Sequence, residues 1–127
     1  KLQFRRPAYV RDDLTRGAEA IAQACGARPA LFRAPHGFRS PWVNAIARSL
    51  GERVIGWSLG VWDSDRPGAA VIAQRTADGV RPGAIVLLHD GDGYDPAGDR
   101  SQTADAVPFV LATLAGRGYR FVPVPAT

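Results

Sequence analysis

Apolar residues along the chain follow two alternating patterns, helical spacing and short uninterrupted runs. Helical spacing predicts helices over about 12–25, 41–50, 69–78 and 103–115. Short apolar runs predict strands over about 30–33, 53–58, 84–89 and 119–122. Asp12 or Asp13 can cap the first helix and Gly26 ends it, while Ser40 and Pro41 are typical of a helix start. Strands that alternate with helices predict an α/β fold with parallel strands.

The run that ends at His89 is the most informative part of this pattern. Residues 84–88 are apolar without alternation, which is typical of a strand buried on both faces, and Gly91 marks an abrupt loop. Ligands bind beyond the carboxyl ends of parallel strands, where an imidazole can titrate near neutrality and move a proton. His89 is therefore a candidate catalytic group. The alternative is a histidine that caps the strand and hydrogen-bonds a loop carbonyl.

Two further charged residues follow predicted strands. Arg33 ends an apolar strand before a turn that contains Pro35 and Gly37. Because a buried arginine needs a carboxylate partner, a structural ion pair and a role in a site are both consistent with its position. Asp63 follows the second strand and could orient His89 through a carboxylate–imidazole hydrogen bond. The alternative for Asp63 is an ordinary loop aspartate.

Composition fits one globular domain or a large part of one. The chain has 127 residues, of which 46% are hydrophobic and 22% charged. No apolar run approaches the ~18 residues of a membrane span, and the first residues lack the apolar region of a signal peptide. The net charge of +4 comes from fifteen arginines and one lysine that are scattered among acidic residues. Without a basic patch and interleaved aromatics, nucleic-acid binding is not expected.

Three short motifs occur in order along the chain. They read Phe-Arg-Ala-Pro-His-Gly at 32–37, Trp-Ser-Leu-Gly-Val-Trp-Asp at 57–63 and Val-Leu-Leu-His-Asp-Gly at 86–91. Together they resemble the last three motifs of the polysaccharide deacetylase (NodB-homology) family, carbohydrate esterase family 4; segments 99–103 and 118–122 are similar to it as well. The resemblance implies part of a distorted (β/α)7-type barrel. It also implies a hydrolase that removes acetyl groups, by amide C–N bond hydrolysis, from N-acetylated polysaccharide such as chitin-like or peptidoglycan sugars.

The resemblance further implies roles for individual residues. His89 would be the general acid that protonates the leaving amine, Asp63 the carboxylate that holds it, and Arg33 the group that orients an aspartate base. Leu87 would line the pocket for the acetyl methyl group. The residues expected to bind substrate are Leu87, Pro35, Gly37 and Trp57. The family also implies an extracellular or cell-envelope location and a divalent metal such as zinc.

The metal ligands and the base of that family are absent from this sequence. The family's first motif, Asp-Asp-Gly, carries the base and one metal ligand, and its second motif carries two ligand histidines. The chain has no Asp-Asp-Gly on an early strand, and its only histidines are His36 and His89. We therefore expect Lys1–Thr127 to be the C-terminal portion of a single deacetylase domain. It would start downstream of the metal site and hold no metal ligands, and sheet edges left by the missing N-terminal strands would favour self-association.

Two alternatives to an active deacetylase follow from the residues. Because the ligands are missing, the chain could be a non-catalytic fragment or a carbohydrate-binding remnant. Residues 56–60 also fit the G-x-S-x-G pattern of serine esterases, and Ser58, Asp63 and His89 follow the chain order of α/β-hydrolases. That pattern requires a helix directly after the serine, whereas the sequence predicts a loop.

Overall fold

The computed structural model describes residues 1–38 and 40–125, which form two compact units. One unit comprises Lys1–Gly56 together with Pro125, and the other comprises Trp57–Val124. The helices and strands, in chain order, are α1 (Pro7–Cys25), β1 (Leu31–Phe32), α2 (Pro41–Ser49), β2 (Arg53–Val54), β3 (Leu59–Gly60), α3 (Ala69–Gly79), β4 (Val86–Leu87) and α4 (Ser101–Gly116). None of the helices in these described ranges is long and apolar enough to cross a membrane.

The first unit packs two helices against a parallel pair of strands. β1 pairs with β2 in parallel, with Phe32 opposite Val54. Both side chains pack against a buried cluster from α1 and α2, formed by Val10, Leu14, Val43, Ile46 and Ala47. The helix ends are as predicted: Gly26 takes a left-handed φ of 77° after α1, and the Ser40 hydroxyl accepts the Val43 N–H at 3.3 Å at the start of α2.

The second unit has the same plan. β3 pairs with β4 in parallel, and α3 packs against α4 over the two strands. Two buried clusters form there, one of Val61, Ile72 and Ala106 and the other of Val80, Val110 and Leu114. At the end of α3, Gly79 lies so close to Leu59 that an added Cβ would be 2.7 Å from its side chain. A side chain at this position would therefore require the Leu59 side chain to move.

Alternation of helices with parallel strands confirms the predicted α/β class, but the predicted bounds of one helix and one strand were wrong, and a further strand was not predicted. α1 begins at Pro7 rather than near Asp12, since proline fits the first turn of a helix, where its missing N–H is not needed. The predicted strand 53–58 ends at Val54, and a separate strand, Leu59–Gly60, pairs with β4 in the second unit. Pairing partners, which are distant in sequence, decide where a short strand begins and ends.

The predicted strand 119–122 is not a strand in the structure. The Tyr119 N–H donates to the Leu114 carbonyl at 3.0 Å and so helps to end α4. The Tyr119 side chain packs against the cluster around Val110. Phe121 and Val122 are exposed to 52% and 75%. Their apolar, β-branched character favours a strand, but none of the described strands pairs with them.

Replacing Ile72 by alanine tests the packing of the second unit. Ile72 is fully buried between Val61 and Ala106, so the lost side-chain atoms should lower the free energy of unfolding by about 2–5 kcal/mol. Urea denaturation followed by circular dichroism measures this. The matched control is Val71→Ala on the same helix, where the side chain is 39% exposed and the change should stay within about 0.5 kcal/mol. Equal losses in the two variants would contradict this packing.

Candidate active site

His89 and Asp63 form a doubly hydrogen-bonded pair in the second unit. Asp63 Oδ1 lies 2.9 Å from Nδ1 of the His89 ring, and Asp63 Oδ2 accepts the His89 backbone N–H at 2.8 Å. The Asp63 side chain is only 1% exposed, whereas the His89 side chain is 42% exposed. One carboxylate therefore holds both the ring and the backbone of the histidine at the end of β4.

The protonation of this pair follows from its hydrogen bonds. Burial alone would raise the pKa of Asp63, but the His89 ring, the His89 backbone N–H and the Thr103 hydroxyl outweigh burial and hold that pKa below its ordinary value. An ionised carboxylate can only accept hydrogen bonds, so the hydrogen between the two side chains resides on Nδ1. Nε2 is then the ring nitrogen that can exchange a proton with a substrate.

A tight turn after β3 presents Asp63 to the histidine. Asp63–Asp65 forms a single turn of 3-10 helix, preceded by Trp62 with φ 57° and followed by Arg66 with φ 55°. Both flanking residues have a left-handed backbone conformation, which residues other than glycine adopt at a cost of about 1 kcal/mol or more. Sequence reasoning missed this turn, because neither tryptophan nor arginine signals a left-handed backbone.

Leu87 lies in β4, two residues before His89. Its neighbours Val86 and Leu88 pack against the buried clusters that α3 and α4 form in the second unit. Because side chains along a strand alternate between faces, Leu87 lies on the other face of β4. Trp57 packs near this strand: its Nε1 is 3.4 Å from where a Cβ on Gly60 would be, and Gly60 pairs with Leu87.

The other residues singled out from the sequence belong to the first unit. Arg33 directly follows β1 and donates from a terminal guanidinium nitrogen to the Gly56 carbonyl at 3.1 Å. Pro35–Gly37 forms a second 3-10 turn, in which His36 has φ 57° and Gly37 φ 70°. The structure therefore brings His89, Asp63, Leu87 and Trp57 together in one unit, while Arg33, Pro35 and Gly37 shape the end of β1 in the other.

A pocket of about 440 Å³ opens beside His89. Arg100, Ser101 and Thr103, from the start of α4, form part of its wall. Sequence reasoning assigned no role to Arg100 or Thr103. Their only signal was the similarity of segment 99–103 to the deacetylase family, because nothing in local spacing shows that the start of α4 reaches β4.

Among the described residues, neither a metal site nor a serine nucleophile is assembled around His89. Within residues 1–38 and 40–125, no group of three or more His, Cys, Asp or Glu side chains could hold a metal ion, so the donor set does not fit one. The Ser58 hydroxyl accepts the Ile85 N–H at 3.0 Å and lies 3.5 Å from the Ile85 carbonyl. Ser58 is followed by β3 rather than by a helix, so the nucleophile turn of serine esterases is not formed there.

Comparison with known proteins shows which family the chain resembles. The sequence profile described as "Polysaccharide deacetylase" matches residues 1–55. A chitooligosaccharide deacetylase of Bradyrhizobium sp. (strain ANU 289) is 37% identical over 128 residues, an alignment that covers 94% of this chain and 58% of that protein. The chain therefore spans less than two thirds of the length of this relative.

Solved structures show the same relationship. A family 4 carbohydrate esterase from Streptomyces lividans in complex with acetate superposes with a TM-score of 0.76 and 28% identity, over 90% of this chain and 55% of that one. A CE4 family pseudoenzyme from Bacillus anthracis superposes with a TM-score of 0.81 and 28% identity, over 92% and 38%. These similarities confirm the predicted resemblance to the polysaccharide deacetylase family, carbohydrate esterase family 4.

Proposed function

We propose that this chain supplies the proton-donating half of a polysaccharide deacetylase, with His89 as the general acid. The observation that carries the proposal is the bond between His89 Nδ1 and the buried, ionised Asp63 carboxylate at 2.9 Å. It leaves Nε2 of a half-exposed ring as the proton-exchanging atom. The similarity to a chitooligosaccharide deacetylase supports the proposed substrate class, an N-acetylated polysaccharide such as chitin-like or peptidoglycan sugars.

Amide hydrolysis requires such an acid. When water has added to the acetyl carbonyl, the C–N bond breaks readily only if the departing nitrogen receives a proton, because an amide anion is a very poor leaving group. Protonated His89 donates that proton from Nε2, and acetate and the free amine result. Asp63 stabilises the imidazolium and fixes its orientation without itself becoming protonated. In this proposal Leu87, two residues before His89, contacts the acetyl methyl group.

The remaining parts of the reaction are assigned to residues outside Lys1–Thr127. Enzymes of this family are generally metal-dependent, yet the donor set of the described residues does not fit a metal ion. In this proposal Arg33 orients the aspartate base of the complete domain, and Pro35, Gly37 and Trp57 shape its substrate groove. The complete domain would be a (β/α) barrel that acts outside the cell or in the cell envelope, as its substrates require.

A second candidate function is that of a non-catalytic, carbohydrate-binding protein. Two observations favour it: the lack of a fitting metal donor set among the described residues, and the similarity to a CE4 family pseudoenzyme. The His89–Asp63 pair would then be a preserved but idle part of the site. Activity of a completed domain separates the two functions.

The decisive experiment completes the domain. The chain is assayed with Zn²⁺ or Co²⁺ and an acetylated chito-oligosaccharide, both alone and fused to the part of the Bradyrhizobium deacetylase that it does not match. We expect acetate release from the fusion only. Replacing His89 by glutamine in the fusion should lower kcat about 10²–10⁴-fold, the usual contribution of general acid catalysis.

The control for this assay is Asp78→Asn, which replaces an exposed carboxylate near the end of α3 by an amide. We expect its kcat to stay within about two-fold of that of the unsubstituted fusion. Acetate release by the chain alone would show that activity does not require metal ligands or an aspartate base from the rest of the complete domain. An active fusion that keeps full kcat after His89→Gln would remove His89 as the acid. A folded but inactive fusion would favour the non-catalytic function.

The acidity of Asp63 predicts how stability depends on pH. Since its folded-state pKa lies below the ordinary value, Asp63 stabilises the fold above about pH 4, and this contribution is lost as pH falls through the lower folded-state pKa. Asp63→Asn should therefore lower the free energy of unfolding at pH 7 by about 1–3 kcal/mol, through weakened buried hydrogen bonds. It should also flatten the decline of stability between about pH 5 and 2.

Urea titrations at a series of pH values measure both effects. The matched control is Asp65→Asn, an exposed carboxylate in the same 3-10 turn, for which the change at pH 7 should stay within about 0.5 kcal/mol. If Asp63→Asn and the unsubstituted chain lost stability in parallel on acidification, Asp63 would not be ionised and hydrogen-bonded as described.

A further inference from the structure

A third donor reaches the Asp63 carboxylate from the first turn of α4. The Thr103 hydroxyl donates to Asp63 Oδ2 at 3.0 Å, beside the His89 N–H on the same oxygen. Thr103 is 5% exposed, so water does not compete freely for this hydrogen bond. With Oδ2 held by two donors, the plane of the carboxylate is set, and Oδ1 faces the His89 ring.

Thr103 differs in this respect from the other buried threonine of the unit. Thr76, fully buried in α3, donates to the Ile72 carbonyl one turn earlier in its own helix at 2.8 Å. That is the ordinary way in which a helical threonine satisfies its hydroxyl. The Thr103 hydroxyl instead donates to a residue outside its own helix, the Asp63 carboxylate that is hydrogen-bonded to His89.

Arg100, just before α4, donates hydrogen bonds to the backbone segments that follow Asp63 and His89. It donates from one terminal nitrogen to the Ser64 carbonyl at 2.9 Å and from Nε to the Gly91 carbonyl at 3.2 Å. Its other terminal nitrogen donates to Asp92 at 2.8 Å, and the Arg100 side chain is only 11% exposed. Ser64 directly follows Asp63, and Gly91 lies two residues after His89. One rigid guanidinium therefore ties together the segments that carry the two members of the pair.

We propose that Arg100 and Thr103 are positioning residues of the His89–Asp63 pair. Thr103 orients the carboxylate so that Oδ1 faces Nδ1, and Arg100 holds the backbone of Asp63 and His89 in register. The consequence is a fixed ring tautomer, with hydrogen on Nδ1 and with Nε2 directed away from Asp63. This inference deepens the proposed function and rests on it, because such positioning serves a reaction only if His89 transfers the proton.

The role of Thr103 is tested by the tautomer of His89. At a pH where the rings are neutral, the ¹⁵N chemical shifts of a labelled chain report the ratio of the two tautomers, and the only other histidine, His36, is an internal reference. We expect the form with hydrogen on Nδ1 to predominate. In Thr103→Val the ratio of the Nδ1–H tautomer to the Nε2–H tautomer should fall at least three-fold. In Thr103→Ser, which keeps the hydroxyl, this ratio should equal that of the unsubstituted chain.

The matched control is Thr76→Val, which removes a buried hydroxyl of α3 that does not contact Asp63, and which should leave the ratio unchanged. Circular dichroism establishes that each variant is folded. An unchanged ratio in folded Thr103→Val would overturn the role of Thr103. An equal change in Thr76→Val would do so as well, because it would reveal a general loosening of the unit. If Thr103→Val does not fold, Thr103→Ala against Thr103→Ser gives the same comparison.

The role of Arg100 is tested by hydrogen exchange at the His89 amide. In Arg100→Lys the charge remains but the planar fork is lost, so we expect this amide to exchange at least ten-fold faster. The amides of Ile72 and Val110, in the two buried clusters, should keep their rates. An unchanged rate at His89, or an equal acceleration at all three amides, would overturn the role of Arg100.

These measurements need no substrate, so they separate the two proposals. If the completed domain is inactive while the tautomer and exchange results hold, positioning stands and the proposed function fails. If the domain is active and depends on His89 while folded Thr103→Val keeps its tautomer ratio, the proposed function stands and the positioning inference fails.

Discussion

The buried carboxylate of Asp63 is the constraint around which the second unit is arranged. An ionised group that is 1% exposed is tolerated only if hydrogen bonds replace its lost water. The replacements come from the end of β4, through His89, and from the first turn of α4, through Thr103. Three elements must therefore meet at one point, and the left-handed turn at Trp62 brings the carboxylate there. The same contacts that satisfy the charge also fix the imidazole.

Apolar packing supplies the stability that this polar arrangement requires. Within residues 1–38 and 40–125 each unit has a two-stranded parallel sheet, and such a sheet is marginal without helices packed against it. In the second unit α3 and α4 bury Ile72, Ala106 and Val110 over β3 and β4. Val86 and Leu88, on either side of Leu87, pack against the clusters that these helices form. This packing fixes β4, and with it the segment that carries His89.

In the proposed function His89 is a proton donor. Its ring is hydrogen-bonded to a buried carboxylate, whereas the donor set of the described residues does not fit a metal ion. A carboxylate–imidazole pair keeps its geometry through its own hydrogen bonds, so it does not require the metal in order to form.

Local sequence by itself determined the helices, the parallel α/β class and the motif around His89. Ser40 with Pro41 and the left-handed Gly26 act within one turn of chain, so their effect can be read from neighbouring residues. The tertiary structure decided the rest: segment 119–122 has strand-like residues but pairs with none of the described strands, while Leu59–Gly60 becomes a strand because β4 lies beside it. Arg100 and Thr103 acquire their importance in the same way. Hydrogen bonds between residues far apart in sequence produce no periodic pattern in the sequence. Only the folded chain therefore shows that residues at the start of α4 hold the His89–Asp63 pair.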